Sequence, residues 1–109
     1  MKINGFEVNG VEVDANTGCQ HYRSALDIIA IKFPCCQTYY PCFQCHAETA
    51  DHKAEVWPRA RWKEKAILCG ACKSELTIEQ YLQSQAICPN CGAQFNPGCS
   101  LHHHLYFEV

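Results

Sequence analysis

A small α+β domain held together by bound metal is the fold class this sequence predicts, on three observations. The chain has 109 residues, the length of one domain. Ten residues are cysteine and six are histidine, a dense set of soft donors in a chain whose own core is modest. Cysteines recur in C-x2-C pairs at Cys42/Cys45, Cys69/Cys72 and Cys88/Cys91, with short β-patterned and helix-compatible runs between them. Hydrophobic residues make up 48% and charged ones 18%, so the chain is no disordered tail. A formal charge of −2 argues against phosphate-driven binding of nucleic acid, which needs a basic face.

The first residues, Met1-Lys2-Ile3-Asn4-Gly5-Phe6-Glu7, lack the apolar core of a secretory signal. The longest apolar stretch, residues 26–33, is broken by Asp27 and Lys32 and is too short to span a bilayer. The chain therefore reads as cytoplasmic and not membrane-bound, and its cysteines read as thiolate ligands or free thiols instead of disulfides.

Residues 1–18 read as an N-terminal β-hairpin extension. Phe6-Glu7-Val8 and Val11-Glu12-Val13 alternate apolar and acidic, and Asn9-Gly10 between them suits a two-residue turn. Residues 19–67 form a second unit. Ile28-Ile29-Ala30-Ile31 is β-rich and reads as a buried strand that Pro34 stops. A helix is expected over residues 42–53, with Pro41 placed where a helix start tolerates it. The connecting segment 53–67 has no cysteine or histidine and carries most of the basic charge, with Trp57 and Trp62 expected to pack over a metal lobe. Residues 68–109 form the third unit. In it Thr77 caps a short helix reaching about Gln85, and Gln80 closes a capping box.

Zinc takes four thiolate or imidazole donors in a tetrahedron, and two cysteines two residues apart supply both sulfurs from one tight turn. Cys69, Cys72, Cys88 and Cys91 give C-x2-C-x15-C-x2-C, the spacing of a zinc ribbon. Gly92 follows the second pair, where a bulky side chain is expected to interfere with the knuckle. A site of four cysteines has no open coordination position, so its role is structural.

The second constellation holds Cys19, His21, Cys35, Cys36, Cys42, Cys45, His46 and His52, eight donors and hence two zincs' worth. Cys42 and Cys45 chelate one ion, which Cys19 and His21 can complete. His46 follows Cys45 directly, so on a helix it points about 100° away and serves a neighbouring site. His52 with Cys35 and Cys36 can complete that second site, although vicinal cysteines on one ion are an awkward geometry.

These residues carry a resemblance. Cys19-Gln20-His21-Tyr22 is the C-x-H-Y signature of the CHY-type zinc-finger family. Cys35-Cys36, Tyr40-x-Cys42-x2-Cys45-His46, His52 and the two later pairs follow in the family's order across roughly residues 19–95. The resemblance implies a two-zinc lobe and a C-terminal zinc ribbon. It implies a first zinc on Cys19, His21, Cys42 and Cys45, and a second on Cys35, Cys36, His46 and His52. The third falls on Cys69, Cys72, Cys88 and Cys91. Outside that core, residues 27–33 and the ending from Phe95 resemble the small stand-alone members. Those include fungal mitochondrial helpers of small translocase chaperone assembly and uncharacterised bacterial proteins. For a eukaryotic source the resemblance thus implies the mitochondrial intermembrane space as the alternative location. Other members set the module before a RING in ubiquitin ligases, but no RING cysteine array follows here.

Cys99, His102, His103 and His104 remain. A plain C-terminal β-strand is expected, with His102, His104 and Tyr106 on one face and Leu101, His103, Leu105 and Phe107 on the other. The alternative is a fourth metal position from Cys99, His102 and His104, which lacks a fourth donor. Pro41-Cys42-x2-Cys45 with His46-Ala47-Glu48 contains the pieces of a deaminase signature, but in reversed order and contiguous, so Glu48 reads as a solvated helix residue. Trp57, Arg59, Arg61 and Trp62 could stack on bases. However, nine zinc-bound thiolates on three zincs take the formal −2 to about −5, which disfavours nucleic acid further. The function expected is a non-catalytic zinc module that binds a protein partner and assists folding or assembly of cysteine-rich or metal-binding proteins. The alternatives are a zinc-handling or thiol-redox protein with a labile C-terminal site, and a nucleic-acid-binding zinc ribbon.

Overall fold

The computed structural model describes residues 2–3, 5–22, 24–96 and 103–108. Its elements are β1 (Lys2–Ile3), β2 (Phe6–Glu7), β3 (Ile29–Phe33), β4 (Thr38–Tyr40), α1 (Phe43–Thr49), a 3-10 turn (Arg59–Arg61), β5 (Lys65–Cys69), β6 (Glu75–Thr77) and α2 (Ile78–Gln83). The larger sheet is antiparallel in the order β4-β3-β5-β6.

β3 reads Ile-Ala-Ile-Lys-Phe, and both of its faces are covered, which is why the run is nearly unbroken in apolar residues. Alternation sends Ile29, Ile31 and Phe33 to one face, where Tyr40, Ile67, Cys69 and Leu76 join them. Trp57, Ile78, Tyr81, Phe95, Tyr106 and Phe107 close over that face. Ala30 goes to the other face with Tyr39 and Leu68, and there Ile3 and Val8 cover it. Tyr39 and Lys32 are fixed at the rim by Glu75: the tyrosine hydroxyl donates to its carboxylate at 2.6 Å and the ammonium lies 3.5 Å from it.

The N-terminal segment is a cover, but its turn lies earlier than the sequence predicts. Lys2 pairs with Glu7 and Ile3 with Phe6, with Gly5 at φ +84° in the turn. Asn9-Gly10 turns no hairpin, because the edge of β4 captures this stretch first. Val8 bridges Tyr39 in parallel, and the Asn9 N–H donates to the Tyr39 carbonyl. Val11 then gives its N–H to Cys45 Sγ at 3.5 Å instead of a partner strand. The result protects one edge of the sheet from further pairing.

β5 starts in the basic connecting segment and ends on Cys69, so it straddles the expected boundary between residues 67 and 68. Its pairing with β3 fuses the two metal-bearing parts through one sheet. α1 is shorter than the expected 42–53. The Thr49 hydroxyl bonds back to the Cys45 carbonyl at 2.6 Å and Ala50 turns extended, which lets His52 swing back toward His46. α2 has the expected capping box, with Gln80 N–H on Thr77 Oγ1 at 3.0 Å and Thr77 N–H on Gln80 Oε1 at 2.9 Å. It ends at Gln83, where Ser84 caps it.

The expected C-terminal strand is absent among the described residues. Residues 103–105 form a short 3-10 turn, and only Phe107 bridges, in parallel, to Trp57. The backbone turns back on itself instead: the N–H groups of Tyr106 and Phe107 both donate to the His103 carbonyl, at 3.1 and 2.9 Å, and the turn places both side chains inside. The Tyr106 hydroxyl then accepts from the Phe43 N–H at 2.8 Å, tying the chain end to the start of α1. Trp57 is buried and donates its indole N–H to the Lys32 carbonyl at 2.5 Å, so it has no face left for a base. Arg61 lies 4.5 Å over its ring and Arg59 lies 5.5 Å over Trp62. Trp57 thus lies in the core with Trp62 partly buried against it, while Arg59 and Arg61 remain exposed.

Gly70, inside the first ribbon knuckle, packs where no side chain fits. A Cβ there would land on the Asn16 carbonyl oxygen, and the Gly70 N–H already donates to the Ile28 carbonyl at 2.5 Å. Gly70→Ala is expected to destabilise the metal-loaded chain by about 3 kcal/mol or more, since backbone and not a yielding side chain is in the way. Urea denaturation checks it. A midpoint unchanged from wild type contradicts the packing.

Candidate metal centres

Three groups of four donors each lie within 4.8 Å of one another: Cys19, His21, Cys42 and Cys45; Cys35, Cys36, His46 and His52; Cys69, Cys72, Cys88 and Cys91. They are the same twelve side chains that the sequence singles out. Cys99 and His102 lie outside the described residues, so the alternative fourth position has no geometry to report. His104 is exposed beside Phe107 and Glu108.

The chain brings the first group together at one face of α1. Cys42 is the helix N-cap, its sulfur accepting from the Cys45 N–H at 3.4 Å, so a single turn presents two sulfurs. Cys19 and His21 arrive from the preceding loop, Cys19 fully buried. Cys19 Sγ is 3.7 Å from Cys42 Sγ. His21 Nδ1 is 3.8 Å from Cys19 Sγ, 3.4 Å from Cys42 Sγ and 3.5 Å from Cys45 Sγ.

His46, next along α1, points to the second group and is itself buried. Cys35 and Cys36 come from the turn between β3 and β4, which Gln37 enters at φ +55°. Their sulfurs are 4.0 Å apart, Cys35 Sγ is 3.4 Å from His46 Nε2, and the Nε2 atoms of His46 and His52 are 3.2 Å apart. Phe33 and Tyr40 hold the His46 ring, at 4.3 and 4.8 Å between centroids. The vicinal pair is thus accommodated by a turn in which both sulfurs face one point.

The third group lies between the end of β5 and the loop after α2. Cys69 and Cys91 are 3.9 Å apart, as are Cys72 and Cys88. Asn90 donates its side-chain amide to Cys72 Sγ at 3.4 Å. Gly92 meets no crowding, contrary to the expectation that bulk would interfere. What it supplies is φ +78° with open space around it, a backbone shape that side chains disfavour.

Whether zinc fits can be tested on these distances. With Zn–S near 2.3 Å and Zn–N near 2.0–2.1 Å, the edges of a tetrahedron are about 3.8 Å between sulfurs, about 3.5 Å from sulfur to nitrogen and about 3.3 Å between nitrogens. The closest donor pairs lie near these values: 3.7–4.0 Å between sulfurs, 3.4–3.8 Å from sulfur to nitrogen and 3.2 Å between nitrogens, and every pair within a group lies within 4.8 Å. Sulfurs so spaced are not disulfide-bonded, and the donor chemistry of sulfur with imidazole is that of zinc. Each group offers four protein donors, as many as a closed tetrahedral zinc shell takes.

Without a cation the same closeness resists ionisation. The neighbouring Cys42 thiol pulls Cys19 down to about 5 from the usual 9, and the same contact together with burial pushes Cys42 up. Burial raises Cys45 and Cys35, and pushes Cys69 up to about 12. Cys72 ends near 6 because the Asn90 amide and Ser74 outweigh its burial. Only some thiols are therefore thiolates before an ion arrives, so metal uptake must expel protons.

Two carboxylates were not legible as part of the centres. Glu48 Oε2 is 3.1 Å from His21 Nε2, and Asp51 Oδ1 is 3.0 Å from His52 Nδ1. Each fixes the imidazole so that the opposite nitrogen faces the sulfurs. The contacts with Cys19 and Glu48 raise His21, and those with Asp51 and Cys36 raise His52. Glu48 is not merely solvated. It sits three residues after Cys45, on the same helical face, and that offset was the available signal.

No helix among the described residues is long and apolar enough to cross a membrane. The CHY zinc finger family model matches residues 19–98. Helper of Tim protein 13 of Saccharomyces cerevisiae is 44% identical over 104 residues, covering 93% of this chain and 90% of that protein. The Kluyveromyces lactis protein of the same name is 41% identical, covering 93% of this chain and 88% of its own length. An E3 ubiquitin-protein ligase of Arabidopsis thaliana is 32% identical over 82 residues, which are 69% of this chain and only 24% of the ligase. Donor order, tetrahedral spacing and the match over most of its length agree: the chain belongs to the CHY zinc finger family.

Proposed function

We propose that the twelve donors hold three Zn²⁺ ions as structural staples, and that the module so formed binds protein partners and assists their assembly without catalysing a reaction. The observation that carries this reading is closure. Each group has its four donors from the protein, so no position is left for water or substrate, as a catalytic zinc requires. Similarity to Helper of Tim protein 13 along 93% of the chain supports Tim-type proteins as the partner class. The location that goes with this role is the mitochondrial intermembrane space, in place of the cytoplasm. The ligase reading has less support, because the similarity there covers only 24% of the ligase.

The test is replacement. Expressed in Saccharomyces cerevisiae that lacks its Helper of Tim protein 13, this chain is expected to restore the level of assembled small Tim complexes. Native electrophoresis of mitochondria reads the outcome. Unchanged complexes with the chain present and zinc-loaded in the organelle overturn the reading.

A further inference from the structure

We propose that Cys91 is a modification site, at which a hydroperoxide oxidises the third centre and releases its ion. This goes beyond the proposed function and holds whatever the partner is. The thiolate is the nucleophile of cysteine chemistry, and metal coordination keeps a thiol ionised at neutral pH. Nine cysteines are among the twelve donors, so access decides which of them an oxidant meets first. Among the described residues Cys91 is the exposed cysteine. Cys19, Cys42, Cys45, Cys69 and Cys88 are buried, and Cys35, Cys36 and Cys72 are half-buried. Asn90 further screens Cys72, with its amide 3.4 Å from that sulfur. The exposed donor of the second centre, His52, is an imidazole and has no place on the thiol oxidation ladder.

The surroundings of Cys91 suit a sulfur that must move. Pro89, Asn90, Cys91 and Gly92 are all exposed. Their loop is closed by its own bonds: the Gly92 N–H on the Cys88 carbonyl at 2.9 Å, the Cys88 N–H on the Ala93 carbonyl at 2.8 Å, and the bridge between Ile87 and Gln94. Of residues 87–94 only Cys88 belongs to the main core, so the tip can shift while the sheet keeps its register. Cys69 ends β5 and is fixed by that sheet, and its sulfur stands 3.9 Å from Cys91 Sγ. Closing that gap to a disulfide takes a shift of about 2 Å by the loop.

The reaction balances with a hydroperoxide as oxidant. The Cys91 thiolate attacks the outer peroxide oxygen and the O–O bond breaks. The alkoxide or hydroxide that leaves takes up a proton, and Cys91 becomes a sulfenic acid. The Cys69 thiolate then attacks the Cys91 sulfur, the S–O bond breaks, and hydroxide leaves as water on taking a second proton. Two thiolates, one hydroperoxide and two protons thus give one disulfide, one alcohol (or water) and one water. The sulfurs lose two electrons and the peroxide gains them. Cys72 and Cys88 alone are half of a zinc shell, so the third ion is released. The first and second centres keep all their donors, and the product is a chain with two ions. A thiol reductant reopens the disulfide and lets zinc return.

Native mass spectrometry and peptide mapping of the zinc-loaded full chain test this, with hydrogen peroxide as the probe. The chain carries Cys99→Ser, which removes the one cysteine that is not among the twelve donors. One equivalent of peroxide is expected to turn the three-zinc form into a two-zinc form with a disulfide between Cys69 and Cys91, and dithiothreitol with zinc to restore the first. Retention of all three ions in excess peroxide overturns the proposal, and a disulfide from Cys91 to Cys88 overturns Cys69 as its partner. Cys91→His keeps a shell of three sulfurs and one imidazole. Its third ion is expected to leave at least about tenfold more slowly, and loss at the unsubstituted rate overturns the site. Should that variant load only two zincs, labelling decides. With less than one equivalent of N-ethylmaleimide, Cys91 is expected to be modified first, and earlier modification of a cysteine in the first or second centre overturns the proposal.

Discussion

Stripping zinc from the purified chain with excess EDTA is expected to unfold it outright. Five members of the main core are sulfur donors, Cys19, Cys42, Cys45, Cys69 and Cys88, and His46 is buried with them. These side chains face one another at metal-ligand spacing, where few direct contacts would remain between them once the ion is gone. Burial also opposes ionisation of Cys45 and Cys69, so these thiols gain little from charge without the ion. The magnitudes decide the outcome. Structural zinc in a small domain contributes roughly 10–16 kcal/mol per site at neutral pH, against about 5–15 kcal/mol for the net stability of a whole domain. Loss of all three ions thus outweighs everything else that holds the fold. Near-ultraviolet circular dichroism should vanish on chelation and return when zinc is restored. A native-like spectrum in EDTA with fewer than two equivalents of zinc left would refute the role given to the metal.

The metal groups were legible because chelation is largely local. Two cysteines two residues apart commit to one ion whatever the surrounding fold, and the step from Cys45 to His46 turns by a fixed angle on any helix. The α2 capping box was legible for the same reason, since Thr77 and Gln80 bond across one turn. What failed depended on competition with distant backbone. Asn9-Gly10 is a good hairpin signal taken alone, but β4, some thirty residues later, offered the Tyr39 carbonyl first. The C-terminal alternation suggested a strand, yet the N–H groups of Tyr106 and Phe107 turn back to the His103 carbonyl. The bonds from Glu48 and Asp51 to imidazole close only once the histidines are aimed.

Replacing one ligand is expected to cost different numbers of zinc ions depending on which group it leaves. Cys45→Ser should yield a chain carrying one zinc, and Cys88→Ser a chain carrying two, against three for wild type by native mass spectrometry. The asymmetry comes from α1. That helix has only seven residues, too few to persist alone, and it is clamped from both sides, by Cys42 and Cys45 toward the first group and by His46 toward the second. Losing the first clamp frees the helix, so His46 no longer holds its place opposite Cys35 and His52. Cys45 also accepts the Val11 N–H, and so its loss loosens the loop that carries Cys19. The third group shares no such element. Cys69 ends β5, whose register is fixed by β3 and β6 as well, and the loop from Ile87 to Gln94 closes on itself through its own bridge. Failure of the ribbon therefore leaves Ile29–Phe33, Thr38–Tyr40 and α1 with their own two ions. Equal zinc counts for the two variants would mean that the groups fold as one cooperative unit, and that the sheet, more than α1, couples them.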